Sequence, residues 1–404
     1  MYRASEHRPT QAVVNLENIK HNIQLYQTKK ASHQQIYAVV KANAYGHGAI
    51  PVAKTAIEAG VTGLCVATVD EAIQLRKAGI SNIPILVMGL TLPYGIAEIL
   101  YYDLTVTVSD LSFFMLALEQ LKKNQQETLL KDRQLKVHLK LDTGMSRVGL
   151  RTKEEVIAFV DGIQAFPWVD WQGVFTHFST AGGGPISYID FQWNRWQELV
   201  DLIPASVTLR HFDNSAMGLY KAIGGQSDII RLGISLYGLN SRDTVPNDLV
   251  SDQQLADYHF SPSEVRNTES QLDLKLKPAF QLITELSYVK KVEKGTCISY
   301  GASYVSQEDE WIGTIPIGYA DGWLRAYSQI PVLVEGHACP VLGVINMDQL
   351  MIRLPKQFPL GTEVTLIGQD GKYYNHPSLL ARIAGTISYE MLTCISERVP
   401  RIYI

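Results

Sequence analysis

Ala38-Val39-Val40-Lys41-Ala42-Asn43-Ala44-Tyr45-Gly46-His47-Gly48 places a lysine where an apolar, β-branched run meets a glycine-bounded turn. The run from Ile36 to Val40 has no polar alternation, so it reads as a strand buried on both faces. The two glycines and the asparagine then turn the chain before the next apolar pattern. A lone lysine at a strand terminus is ordinarily a solvated cation. One held in a dry pocket is a candidate nucleophile, able to form a Schiff base with a carbonyl group.

Outward from this stretch, short apolar runs alternate with helical patterns, as in parallel β/α architecture. Candidate strands are Ile36–Lys41, Gly63–Ala67, Ile83–Met88, Leu104–Val108, Lys136–Asp142, Gly173–His177, Val207–His211 and Ile229–Leu232. Eight such units within roughly 200–250 residues predict a TIM (β/α)8 barrel rather than an open sheet. Thr68-Val69-Asp70-Glu71 and Thr152-Lys153-Glu154-Glu155 match the capping-box spacing and mark two helix starts. The expected barrel domain spans 12–240. From 240 to 272 the chain is polar and is read as a linker or exposed insertion. Beyond Phe280, strand-like runs separated by Lys294-Gly295, Glu335-Gly336 and Gly361 predict a mostly β C-terminal domain within 241–404. The N-terminal segment 1–11 precedes the first barrel strand and is assigned to that second domain.

The 404-residue chain is 46% hydrophobic with a net charge of −4. That is enough for two domains, and it offers no electrostatic reason for nucleic acid or an anionic membrane as partner. No apolar run approaches the ~18 residues of a membrane span. Met1 to Thr10 is polar, unlike a signal peptide. Cys65, Cys297, Cys339 and Cys394 match no zinc or redox spacing, so no metal is expected. These features predict a soluble cytoplasmic protein.

A barrel of this kind builds its site from the C-terminal ends of its strands. Those ends carry Lys41 and Tyr45, Lys140 to Arg147, His177, His211 to Ser215, and Arg231 to Ile234. Ser215 with the backbone N–H groups of Gly233 and Ile234 lies in the loops after strands seven and eight, the common phosphate site of the fold. Lysine plus phosphate cradle fits pyridoxal 5'-phosphate (PLP), whose ring is an electron sink. Taken singly, His177 reads as a core histidine, and Arg147 and Arg231 read as ion-pair partners. Their convergence on one barrel mouth strains that reading. In the second domain Ser299-Tyr300-Gly301-Ala302, Ile317 to Gly322, Asn346-Met347-Asp348 and Ser388-Tyr389-Glu390 form polar islands in apolar sequence.

The chain resembles the alanine racemases, PLP-dependent enzymes with a barrel and a β domain. The resemblance rests on Ala38–Gly48, Leu141–Gly149, Arg231–Leu239, Ser299–Ala302 and Ile317–Gly322 and runs to Arg398-Val399-Pro400-Arg401. It implies that Lys41 carries PLP and serves as one base, with Tyr300 of the partner subunit in a homodimer as the other. Tyr45, Ser215, Gly233, Ile234 and Tyr389 would hold the phosphate, and Arg231 would face the ring nitrogen. His177 would support Tyr300. Arg147, oriented by a carbamylated Lys140, would contact cofactor and substrate carboxylate, with the Met347 backbone alongside and Tyr319 at the entrance. Racemisation of L- and D-alanine, supplying D-alanine for peptidoglycan, is the activity implied.

Returning a proton to the opposite face of Cα requires two bases flanking the cofactor plane, which agrees with these roles. Departures from the family pattern are Val344, Asn346 and Gly182, where arginine, cysteine and an acidic residue are usual. They bear on substrate range. A serine or broad-specificity racemase is the nearest alternative, then a barrel-type decarboxylase, then a PLP-binding protein without turnover. Decarboxylation would need no second base, so Arg231 and Tyr300 speak against it.

Overall fold

The computed structural model describes residues 4–219, 225–266 and 274–404. Its barrel consists of β2 (Gln35–Val39), β3 (Gly63–Val66), β4 (Ile85–Leu90), β5 (Thr105–Val108), β6 (Leu135–Lys140), β7 (Val169–Phe175), β8 (Leu209–His211) and β9 (Ile229–Leu232). The eight are parallel, in the order β8-β7-β6-β5-β4-β3-β2-β9. A single parallel bridge from Asp213 to Ile230 joins the two ends of this sheet.

All eight expected strands are present. The strand expected from Gly173 begins at Val169 instead, because Val169-Asp170-Trp171-Gln172 is half-buried and lacks a continuous apolar run. The central strands are covered on both sides, and every residue from Ile36 to Val40 is buried. Both capping boxes form, with Thr68 and Thr152 accepting from the backbone N–H of Glu71 and Glu155. The helix Leu16–Lys29 is capped by Asn15 and buries Ile19, Asn22, Ile23 and Tyr26. That spacing gives one apolar stripe facing the barrel.

The strand β1 (Gln11–Val14) belongs to the second architectural layer. It runs antiparallel to β10 (Phe280–Glu285) and parallel to the last strand of the chain, Arg401–Tyr403. Together with Val332–Val334, His337–Cys339, Glu363–Asp370 and Tyr373–Asn375 they form a seven-stranded sheet. A second sheet of four strands contains Tyr288–Val292, Glu310–Ile315, Val341–Leu342 and Leu350–Leu354. Ahead of β1, Arg8 forms a 2.6 Å ion pair with the buried Asp321, and the Thr10 hydroxyl donates to the Pro316 carbonyl at 2.8 Å.

The stretch 240–272, expected as a linker or exposed insertion, is folded over its described part, up to 266. It holds two short helices, Asp252–Asp257 and Pro262–Val265. Its apolar residues are few, but Val245, Val250, Leu255, Tyr258 and Val265 are buried together against Tyr374 and Leu379. Gln254 both donates to and accepts from the Tyr374 backbone, at 2.8 and 2.9 Å. Residues 267–272 of this stretch lie outside the described residues. Among the described residues no helix is long and apolar enough to cross a membrane.

Candidate active site at the barrel mouth

A cavity of about 860 Å³ opens at the C-terminal ends of the barrel strands. Its walls include Lys41, Tyr45, Lys140, Arg147, His177, Ser215, Arg231, Gly233, Ile234 and Tyr389. Thus ten residues expected at one site, from five strand ends of the barrel and one segment of the second domain, meet in one concavity.

Lys41 ends the approach of β2 and is followed by four non-glycine residues in left-handed conformation, Ala42, Asn43, Ala44 and Tyr45, with φ between 51° and 53°. Such conformations cost L-residues roughly 1–2 kcal/mol each, so they persist only where the surroundings enforce them. Gly46 closes the turn at φ 84°, and a Cβ there would lie 2.3 Å from the Leu392 carbonyl oxygen. The turn carries the Lys41 and Tyr45 side chains into the same cavity. Burial first, and the Arg147 charge second, hold the Lys41 ammonium below the usual lysine range, with Glu71 and Cys65 opposing. A larger neutral fraction of that amine is what a nucleophile or proton acceptor requires.

The Ser215 hydroxyl accepts from the Gly233 N–H at 2.9 Å, and the Ser215 carbonyl accepts from the Tyr26 hydroxyl at 2.6 Å. A Cβ built on Gly233 would stand 3.1 Å from the Tyr45 hydroxyl and 3.7 Å from the Ser215 hydroxyl. Glycine therefore leaves a cradle ringed by two hydroxyls and loop backbone, the donor set a phosphate dianion takes. Tyr389 packs on Tyr45 with ring centroids 5.9 Å apart.

Arg231 is fully sequestered on β9. It donates to His211 Nδ1 at 2.8 Å, to the Thr176 carbonyl at 2.8 Å and to the Phe212 carbonyl at 3.2 Å. Three acceptors fix its planar fork. Lys140 donates to the Leu141 carbonyl at 2.6 Å, and burial together with Arg231 and Arg147 brings its amine down to about 7. Burial and the same cations hold His177 well below the usual histidine range, so its imidazole is neutral at pH 7.

The three remaining expected residues lie elsewhere. Tyr300, Tyr319 and Met347 are exposed on the second domain, Tyr300 by 75%, and none lines the cavity of its own chain. They do share a neighbourhood. The Tyr319 and Ala320 N–H groups donate to the Asn346 and Met347 carbonyls, each at 3.0 Å, and the Ser299 hydroxyl accepts from Val344 N–H at 3.1 Å.

Family models for the alanine racemase N-terminal and C-terminal domains match residues 14–241 and 279–403. The chain belongs to the alanine racemase family. It is 42% identical over 398 residues to the alanine racemase of Ligilactobacillus salivarius, covering 98% of each chain. The alanine racemase structure from E. faecalis superposes with a TM-score of 0.87 at 38% identity, covering all of both chains. The histidine racemase of Leuconostoc mesenteroides subsp. sake superposes with a TM-score of 0.84 at 29% identity, again over all of both chains.

Against that family background the cavity wall also holds Met88, Leu90 and Gly183, which the motifs did not single out, and Gly182, one of the departures from the family pattern. Asp213, beside Arg231, is buried and hydrogen-bonded to Gln34 at 3.1 Å, with its other oxygen unpartnered. Only its place between His211 and Ser215 in the sequence pointed to it.

Proposed function

We propose that this chain interconverts L- and D-alanine with PLP held at Lys41, and supplies D-alanine for peptidoglycan. The observation that carries this reading is the convergence of a desolvated lysine, a hydroxyl-and-backbone cradle and a clamped arginine on one barrel mouth. Ser215, Tyr45, Tyr389 and the backbone of Gly233 and Ile234 would take the phosphate, while Arg231 would face the ring nitrogen. Bound there, PLP supplies an electron sink that makes the α-proton of alanine removable.

Everything else falls to side chains. The Lys41 Nζ takes or returns a proton on one face of Cα. The Tyr300 Oη of the partner subunit does so on the other, with His177 as its support. Arg147 binds the substrate carboxylate next to the Met347 backbone and is oriented by Lys140 as a carbamate. The amine of Lys140, brought down to about 7, suits reaction with carbon dioxide, which needs the neutral form. Arg231 stays charged and donates only, so it leaves a ring nitrogen facing it unprotonated and disfavours transamination. Tyr319 lies at the entrance.

The shared homodimer site is supported by the exposure of Tyr300, Tyr319 and Met347 away from their own chain's cavity. A closed two-fold pairing would lay that patch over the neighbouring barrel mouth, twice. A second reading, racemisation of serine or a broader set of amino acids, is favoured by the side-chain-free wall at Gly182 and Gly183.

Circular dichroism of L-alanine, D-alanine and L-serine incubated with purified protein tests both. Loss of optical activity from alanine at least tenfold faster than from serine supports the first reading. Equal rates favour the second. No loss, with no exchange of the α-proton into deuterated water, ends both.

A further inference from the structure

The two capping boxes of the barrel are built alike, and one of them has an extra bond. In each, a threonine hydroxyl accepts from the glutamate N–H, at 3.3 Å for Thr68 and Glu71 and at 3.2 Å for Thr152 and Glu155. In each, glutamate Oε2 accepts from the threonine N–H at 3.2 Å and from the N–H of the preceding residue, Ala67 or Arg151. Helix capping is complete with those contacts. Glu71 does more. Its second oxygen, Oε1, crosses to the neighbouring strand's loop and accepts from the Ala42 N–H at 2.6 Å.

Ala42 is the residue after Lys41 and the first of the four left-handed residues. The rest of that turn is held by its own backbone, Ala44 N–H to Val40 O at 2.9 Å, Gly46 N–H to Ala42 O at 3.0 Å and Gly48 N–H to Asn43 O at 2.8 Å. The Ala42 N–H is met by the Glu71 carboxylate, a charge-assisted bond at the point where the strained conformation begins. We propose that Glu71 is a positioning residue for Lys41, clamping the left-handed turn so that the lysine amine stands at the cofactor position.

This rests on the reading of Lys41 as the PLP lysine. The clamp also puts a carboxylate close to the amine. The charged and titratable groups bearing on Lys41 are Arg147, which disfavours the ammonium, and Glu71 and Cys65, which favour it.

The test compares Glu71→Gln with two matched controls, Thr68→Ala and Glu155→Gln. Glutamine keeps the length of Glu71 but turns one of its two acceptor oxygens into a donor that opposes a backbone N–H. Thr68→Ala removes the same cap and leaves the bond to Ala42. Glu155→Gln makes the same chemical change in a box that touches no lysine turn.

Two readouts are taken. One is PLP affinity of the apoprotein, with borohydride reduction and peptide mass locating the cofactor. The other is pH-dependent acetylation of Lys41 by acetic anhydride in the apoprotein. For Glu71→Gln, PLP dissociation should rise about tenfold, the effect of one lost charge-assisted hydrogen bond. The acetylation midpoint should move to lower pH, because a charge favouring the ammonium is gone. Both controls should match wild type within about twofold, an effect smaller than one lost hydrogen bond. Should Glu71→Gln not fold, Glu71→Asp takes its place; it keeps the charge but is too short to reach Ala42, so PLP affinity should fall by the same factor.

Equal affinity and equal midpoints for Glu71→Gln and Glu155→Gln would overturn the proposal. A wild-type chain that takes up no PLP mass on Lys41 would overturn the functional reading instead, and the acetylation curves would still decide whether Glu71 governs that amine.

Discussion

One guanidinium N–H of Arg231 points at His211 Nδ1 across 2.8 Å, and His211 Nε2 lies 2.9 Å from His138 Nδ1. Arginine only donates, so His211 Nδ1 accepts and its Nε2 carries the proton given to His138. Burial and the Arg231 charge keep both imidazoles neutral, while burial lowers Arg231 only to about 10. The arginine therefore remains a cation at neutral pH, and it fixes the tautomer of the His211 ring to which it donates directly.

Replacing that arginine separates charge from geometry. Arg231→Lys keeps the cation but not the fork that spans His211 and Thr176, and should lower kcat by about tenfold to a hundredfold, the range expected for one or two charge-assisted hydrogen bonds. Arg231→Glu should add a long-wavelength absorbance band and detectable transamination during turnover with alanine. A glutamate variant with an unchanged spectrum and no pyruvate formed would remove Arg231 from the ring nitrogen.

The proposed shared site makes a quantitative prediction. Lys41→Ala and Tyr300→Phe should each be nearly inactive. Unfolded together and refolded as an equimolar mixture, random pairing yields about half mixed dimers, each with one intact site, so activity should approach about a quarter of wild type. No recovery, with both variants folded and exchanging subunits, would place both bases in one chain.

Lys140 should carry carbon dioxide. Its amine is brought down to about 7, so above that pH it is mostly neutral and reactive, and below it protonation competes. Protein equilibrated with 13C-bicarbonate at pH 8 should show a bound carbamate carbon resonance that fades toward pH 6. The resonance should be absent from Lys140→Gln. Its persistence in that variant would assign it to another amine.

Acid should unfold this protein through its buried histidines. His47, packed against Tyr237 and Phe280, is held neutral by burial, down to about 3, as are His138 and His376. The unfolded chain binds protons at these residues near pH 6.5 while the folded chain does not. Stability is thus complete above about 6.5 and is lost as pH falls toward 3, at up to roughly 1.4 kcal/mol per pH unit for each histidine. Guanidinium unfolding of His47→Phe should show a shallower decline between pH 6 and 4.5 than wild type, whatever its stability at pH 7. An equal slope would show that His47 titrates freely in the folded chain.

Local pattern determined a good deal of this molecule. Short apolar and β-branched runs alternating with helical patterns announced eight barrel strands, and the Thr-x-x-Glu spacing announced two helix starts, because strand preference and capping act over a few consecutive residues. Strand ends then named Lys41, Lys140, His177, Ser215 and Arg231, since closing a parallel barrel brings all such ends to one mouth. Other features depended on which distant residues meet. Ala42 and Ala44 have side chains with no preference for left-handed backbone, so nothing in their identity reveals a turn imposed by its neighbours. The polar stretch after residue 240 carries no apolar run, and its anchoring comes from five scattered apolar side chains packed against Tyr374 and Leu379. That Glu71 reaches Ala42, that His211 sets its tautomer against Arg231, and that Tyr300 is exposed outside its own chain's cavity depend on how distant segments pack. Those are properties of the closed fold, because a hydrogen bond needs two partners within about 3 Å and sequence spacing carries no such distance between separate strands.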